Sequence, residues 1–102
     1  MEPNIAVIVQ ARMGARRLPG KMLLPLHGFP IVEWVFRRVK KAKLIHNVIF
    51  AIPDTEDNDI LNAYLEKIGA MVCRGSEEDV IERFYFAAKN VKASHIVRVC
   101  AD

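Results

Sequence analysis

A chain of 102 residues, 52% hydrophobic and 26% charged, suits one modest globular domain and is too apolar for intrinsic disorder. Such a chain buries about 60–70% of its unfolded surface. Charge is uneven: residues 1–43 hold nine Lys/Arg and two Asp/Glu, residues 44–102 hold six and ten, which reads as an anion-binding first third joined to an acidic remainder rather than a coat of positive charge for nucleic acid.

Ile5–Val9 is an unbroken apolar run, the pattern of a strand buried on both faces of a parallel sheet. The segment from Gln10 to Pro30 reads as a loop punctuated by Pro19, Pro25 and Pro30, with apolar Met22–Leu24 packed back on the core. A helix is predicted from about Pro30 to Lys43, proline being tolerated at its start. Ile31, Val35, Val39 and Ala42 share one face of it, with Trp34 beside them. Arg37, Arg38, Lys40, Lys41 and Lys43 crowd its last turns, where cations suit the negative end of the helix dipole. No interleaved aromatics make them a base-stacking patch.

Val48–Ile52 is a second strand, and Pro53–Asn58 a polar turn able to cap a helix. Ile60, Leu61, Tyr64, Leu65 and Ile68 recur at helical spacing, with Gly69 as the stop. Met71–Cys73 is a short third strand. Ser76 and Asp79 make a capping-box-like start to a third helix, whose buried face is Val80, Ile81, Phe84, Tyr85, Ala88 and Val91. His95–Cys100 is the fourth strand. Cys73 and Cys100 lack Cys-x-x-Cys spacing and are expected as buried, reduced thiols. His27, His46 and His95 show no ligand spacing. No apolar run reaches the length that spans a bilayer, and no signal-peptide pattern opens the chain, so the expected location is the cytoplasm.

Strand–helix alternation of this kind predicts an α/β fold, a three-layer α/β/α sandwich with a mainly parallel sheet. Ile5–Val9, Val48–Ile52 and Ile96–Cys100 are expected as parallel neighbours. Right-handed crossovers put every strand's carboxyl end on one rim. That rim collects the loop after strand one, the turn after strand three and the residue after strand four.

The segment from Gln10 to Lys21 is the most informative. It carries Arg12, Arg16, Arg17 and Lys21, and no acid lies between Glu2 and Glu33. Gly14, Pro19 and Gly20 keep it irregular and let backbone N–H groups approach a ligand. A cationic loop at the end of a first strand is where an open α/β sheet binds a polyanion, here read as a nucleoside triphosphate. It is not a Walker A loop: five residues separate Gly14 from Gly20, and Met22 replaces the hydroxyl residue after the lysine. Nor is it a G-x-G-x-x-G fingerprint. From composition alone, a solvated basic loop is the competing reading.

Four segments carry a specific resemblance. Ile8–Lys21 (I-V-Q-A-R-M-G-x-x-R-L-P-G-K), Leu24–Ile31 with Gly28 and Pro30, Arg74–Val80 (R-G-S-x-x-D-V) and Val97–Asp102 (V-R-x-x-x-D) together resemble the spore coat polysaccharide biosynthesis protein F family. That family stands with the sugar-acid cytidylyltransferases that make CMP-sialic acid and CMP-Kdo. The segments occur in order and cover the whole chain. Ala15 and Arg16 stand where the family commonly has Ser-Thr, which removes two hydroxyl donors and adds a cation.

The resemblance implies a nucleotide-diphospho-sugar transferase-like fold and transfer of a cytidylyl group from CTP to a sugar or sugar acid, with Mg²⁺ and release of pyrophosphate, in surface polysaccharide synthesis. Arg12 and Lys21 match the catalytic phosphate clamps. Gln10, Ala11, Gly14, Arg17 and the turn of Arg74, Gly75 and Ser76 match nucleotide contacts, and Asp102 matches a metal-binding aspartate. Beside these stand plainer readings: Arg16 solvated, Arg74 a surface ion pair, Ser76 a helix cap, Arg98 a buried pair partner.

Residues 1–102 read as the N-terminal nucleotide-binding part of a single, incomplete nucleotidyltransferase domain. In the family a later half supplies the sugar pocket, a second metal-binding aspartate and much of the dimer contact. A homodimer is therefore expected, with neither nucleic acid nor membrane as partner. Transfer from another nucleoside triphosphate, and a non-catalytic nucleotide-binding module, are the rival functions.

Overall fold

The apolar run at the start of the chain becomes the centre of the fold. In the computed structural model, which describes residues 4–14 and 20–101, β1 (Ile5–Gln10) is followed by a 3-10 turn (Lys21–Leu23), the two-residue strands β2 (Pro25–Leu26) and β3 (Phe29–Pro30), and α1 (Ile31–Lys40). Then come β4 (Asn47–Pro53), a second 3-10 turn (Glu56–Asn58), α2 (Asp59–Lys67), β5 (Met71–Gly75), α3 (Val80–Asn90) and β6 (His95–Cys100). The main sheet has the order β5-β4-β1-β6 and all its pairings are parallel. The three strands expected as neighbours are neighbours.

Side chains alternate across this sheet because successive Cβ atoms point to opposite faces. Val7, Val9, Phe50 and Ile52 face one side, in one core with Val32 and Phe36 of α1 and Leu61 and Leu65 of α2. Ala6, Ile8, Ile49 and Ala51 face the other, in a second core with Ala87 and Val91. Helices therefore cover both faces, giving the expected three-layer α/β/α sandwich.

Asn4 anchors β1 at its lower end. Its Nδ2 donates to the carbonyls of Val91 (2.9 Å) and Lys92 (3.1 Å), and its Oδ1 accepts from Asn47 Nδ2.

Several expectations are corrected. The segment read as loop up to Pro30 contains a hairpin. His27 (φ 49°) and Gly28 (φ 91°) occupy its two-residue turn, and two positive φ values are the type I′ signature. Met22 does pack into the core, and Leu23 lies against it, but Leu24 is exposed.

Helix α1 ends at Lys40, and its buried residues are Val32, Glu33 and Phe36. Ile31, Val35 and Val39 are only partly buried and Ala42 is exposed. The apolar arc of α1 is wider than the sheet can cover, so Ile31, Trp34 and Val35 instead line a groove with Leu26 of the hairpin.

In α2, Leu61 and Leu65 are buried as expected, but Ile60 is 61% exposed. In α3, Ile81 and Tyr85 are 82% and 60% exposed while Arg83 and Ala87 are buried. The packed stripe there runs through positions 83, 84, 87, 88 and 91, which is one helical face. Of the cysteines, Cys73 is half-buried and Cys100 is exposed, and burial pushes the Cys73 thiol up. Arg98, expected as a buried pair partner, is exposed and lies over the Phe84 ring.

One polar group joins the two helices on the first face. Glu33 is buried on α1, accepts a hydrogen bond from the Tyr64 hydroxyl on α2, and pairs with Arg37 one turn later (2.7 Å). The Tyr64 hydroxyl and the Arg37 guanidinium hold the Glu33 carboxyl below the usual carboxylate range, against the opposing effect of burial.

Two outcomes are expected. Leu65→Ala should cost about 2–5 kcal/mol in urea unfolding, the usual cost of truncating a buried leucine. Tyr64→Phe should raise the Glu33 pKa, read by carboxyl NMR. Since a depressed carboxylate stabilises the fold above its unfolded pKa and loses that effect as pH falls through its folded pKa, the parent's stability advantage over Tyr64→Phe should be present at neutral pH and fade below the usual carboxylate range.

Candidate functional site

The strand order fixes where a ligand fits. The chain leaves β1, builds outward through β4 and β5, then returns over α3 to place β6 on the other edge of β1. In open α/β sheets the crevice that binds ligands lies at such a reversal, outside the carboxyl ends of the strands on either side of it, here β1 and β6. Gln10 ends β1 and pairs with Cys100, and the Gln10 carbonyl accepts from the Ala101 N–H (3.0 Å). Ala11 is buried and its N–H donates to the Ala51 carbonyl (3.3 Å). These two main-chain groups of Gln10 and Ala11 are therefore spent on the sheet. The Gln10 side chain stays at the rim, its Oε1 3.5 Å from Arg98.

The cationic loop then leaves the sheet through a closed neck. The Gly20 N–H donates to the Met13 carbonyl (2.8 Å). Arg12 and Lys21 sit one residue outside this bond, on either strand of the neck, and both are partly exposed. Gly20 has φ 77°, a conformation that costs glycine little, and the 3-10 turn that follows starts at Lys21. Gly14 lies just inside the loop, beside the Asp57 carboxylate. Arg16 and Arg17 lie outside the described residues.

Asn58 is a site residue that sequence reading missed. It is 1% exposed, and its Oδ1 accepts from the Met13 N–H (2.9 Å) while its Nδ2 donates to Thr55 Oγ1 (2.7 Å). The turn after β4 thus holds the loop after β1 at the residue that also closes the neck. A polar residue ending a helix-capping turn was the available signal, but it pointed to a cap, and Asn58 makes no side-chain cap bond.

The second segment, read as a turn, is partly strand: Arg74 and Gly75 belong to β5. The Arg74 guanidinium is only 23% exposed and pairs with Asp59 (2.7 Å) and Asp54 (3.3 Å), and it donates to the Thr55 carbonyl (2.7 Å). It fastens the turn that carries Asn58. A Cβ on Gly75 would stand 2.9 Å from Arg83 Cγ, so a close neighbour requires glycine there. Ser76 Oγ accepts from the Asp79 N–H, and Asp79, not Ser76, caps α3 by accepting from the Glu82 N–H (2.9 Å).

Asp102 lies outside the described residues, directly after buried Ala101 at the rim. Among the described residues no group of three His, Cys, Asp or Glu side chains could hold a metal ion, and no helix is long and apolar enough to cross a membrane.

A parallel α/β sheet with a closed cationic neck at its switch point belongs to the class of open α/β folds that bind ligands at that place, and comparison with known proteins gives the family. The family model described as cytidylyltransferase matches residues 6–102, and the chain belongs to that family. It is 41% identical over 103 residues to the spore coat polysaccharide biosynthesis protein SpsF of Bacillus subtilis, covering 97% of this chain and 43% of that one. It is 32% identical over 102 residues to a 3-deoxy-manno-octulosonate cytidylyltransferase of Bdellovibrio bacteriovorus, covering 97% and 39%. Among solved structures, a cytidylyltransferase from Leptospira borgpetersenii superposes with a TM-score of 0.92 at 35% identity, covering 99% of this chain and 42% of that one. The chain thus spans about two-fifths of the length of these relatives.

Asn58→Ala should leave the Met13 N–H unsatisfied. Loss of a buried hydrogen bond of this kind costs about 1–3 kcal/mol. Thermal unfolding should show that loss, and amide hydrogen exchange should show faster exchange at Met13 and Gly20 than in the parent.

Proposed function

We propose that the chain is the triphosphate-binding part of a cytidylyltransferase that uses CTP to activate a sugar or sugar acid for surface polysaccharide synthesis. The observation that carries this reading is the neck at the switch point, with Arg12 and Lys21 flanking the Met13–Gly20 bond. Membership of the cytidylyltransferase family supports CTP as the donor. The names of the relatives, one a spore coat polysaccharide protein and one a 3-deoxy-manno-octulosonate cytidylyltransferase, support a sugar-type acceptor.

In this reaction an acceptor hydroxyl attacks the α-phosphorus of CTP. The new phosphorus–oxygen bond forms as the bond to the bridging oxygen breaks, pyrophosphate leaves with that electron pair, and the hydroxyl proton passes to solvent or base. Little covalent work falls to the protein, and catalysis is positioning and charge neutralisation. Arg12 offers a planar fork that grips two phosphate oxygens, and Lys21 a point charge beside the neck. The Gln10 amide and the backbone of Gly14 stand where the nucleotide enters, with Arg17 as a further phosphate contact. Arg74, Gly75 and Ser76 stand at the end of β5, one strand beyond β4, and Arg74 also holds the turn that pins the loop.

Asp102, a carboxylate placed just after a rim strand, has the donor chemistry for Mg²⁺, which favours carboxylate and phosphate oxygens with water. The ion would neutralise phosphate charge. On this reading the acceptor pocket, a second acid ligand and the contacts of a homodimer fall to residues beyond the two-fifths of the relatives' length that this chain spans. The cytoplasm, where CTP is made, is the proposed location.

Isothermal titration tests the clamp. Arg12→Ala and Lys21→Ala should each weaken CTP binding more than tenfold, as losing a charge-assisted contact of ~1.5–3 kcal/mol requires. Arg38→Ala, on the outer face of α1, should bind as the parent does. Equal curves for Lys21→Ala and parent would overturn the assignment. Residues 1–102 alone should release no pyrophosphate above background from CTP with any sugar acid, and robust turnover by them would overturn the proposed division of labour.

A further inference from the structure

Arg83 is the largest fully buried side chain among the described residues, at 1% exposure. Arginine is almost never buried without a partner, and Arg83 is poorly partnered. Its Nη1 donates to the carbonyls of Ser76 (3.2 Å) and Glu77 (3.4 Å). Its Nε is buried with no hydrogen-bond partner. Among the described residues no carboxylate lies within ion-pair distance of it.

Its surroundings make the placement deliberate. The carbonyls it holds follow β5, at the rim. Gly75 gives it room, since a Cβ there would press on Arg83 Cγ at 2.9 Å and on its Cα at 3.5 Å. The charge of Arg12 also reaches it. Burial first, and then Arg12, push the Arg83 guanidinium below its usual range, and Glu77 opposes them least. Two guanidinium groups thus act on each other at the carboxyl-end rim of the sheet, and the Glu77 carboxylate only partly offsets them. Such an arrangement is costly in the protein alone, and an anionic ligand relieves it. Fastening the turn explains the two carbonyl bonds. It does not explain why the group is cationic or why it feels Arg12.

We propose that Arg83 is a positioning residue of the triphosphate site: it fixes the turn of residues 75–77 through two carbonyls and supplies a buried positive charge that draws the phosphates of a nucleotide against Arg12. This rests on the reading of the crevice as a CTP site. The charge is held inside the fold, so it acts on the ligand as a field, and its effect grows with the number of phosphates. A scaffold role alone would not depend on that number.

The test is titration of CTP and CMP into the full chain carrying Arg83→Met, Arg83→Lys or Gly75→Ala, with thermal unfolding of each. Arg83→Met should weaken CTP about tenfold or more and CMP by less than about threefold. Arg83→Lys, which keeps the charge, should recover most of the CTP affinity. Gly75→Ala, which displaces the side chain and keeps its charge, should weaken CTP more than CMP, and it carries the test if Arg83→Met does not fold. Equal losses for CTP and CMP, equal losses in Arg83→Met and Arg83→Lys, or parent-like CTP binding by Gly75→Ala would each overturn the proposal. A parent chain blind to CTP would instead defeat the cytidylyltransferase reading itself.

Discussion

Strand β1 is the constraint on which the structure depends. It is paired on both edges, by β4 and β6, and its residues Ala6 to Val9 are buried on both faces. Nothing polar can leave the chain along this stretch without losing its hydrogen bonds, so polar chemistry is forced out at the strand's end. Gln10 is where that begins. The neighbouring strands then determine what surrounds it, Ala101 after β6 and the Asn58 turn after β4, with the turn held by Arg83 one strand further out, after β5.

Much of this was legible in the sequence, because apolar runs of strand length admit few alternatives when they alternate with helical periods. Ile5–Val9, Val48–Ile52 and His95–Cys100 all lie within observed strands. The helix faces were less legible. From Ile31 to Phe36 only Glu33 is charged, so a helical wheel offers several inward stripes, and the choice is made by the sheet beneath. The sequence argument also assumes that isoleucine outranks arginine for burial. At positions 81 and 83 the fold reverses that order, as it does in burying Glu33. The hairpin at 25–30 was hidden by its two prolines, which usually mark irregular chain.

The site was legible in its cations and illegible in its supports. Four basic residues in an acid-free stretch are visible by inspection. The group that holds their loop is not, because Asn58 lies 45 residues away from Met13 and its own surroundings imitate a helix cap. Arg74 shows the same separation of signal from role. Its exposed carboxylate partners make ion pairs of small energetic value, but the geometry they impose is useful, since they fix the turn on which Asn58 stands. The acidic remainder of the chain therefore does part of its work beside the cationic loop, pinning it without neutralising Arg12 or Lys21.

The strand order has a consequence for how the chain acquires this crevice. Contacts within the β5–β4 side are local: Arg74 meets Pro53 across 21 residues. The β1–β4 side is closed by Ile5 and His46 across 41, and the β1–β6 side by Asn4 and Ser94 across 90. Chain-closure entropy rises with loop length, so of these three pairings the β6 edge spans the longest stretch of chain and carries the largest closure cost. A nucleotide that bridges β1 and β6 would act as a clasp on this edge, so that ligand occupancy and the stability of the fold are linked.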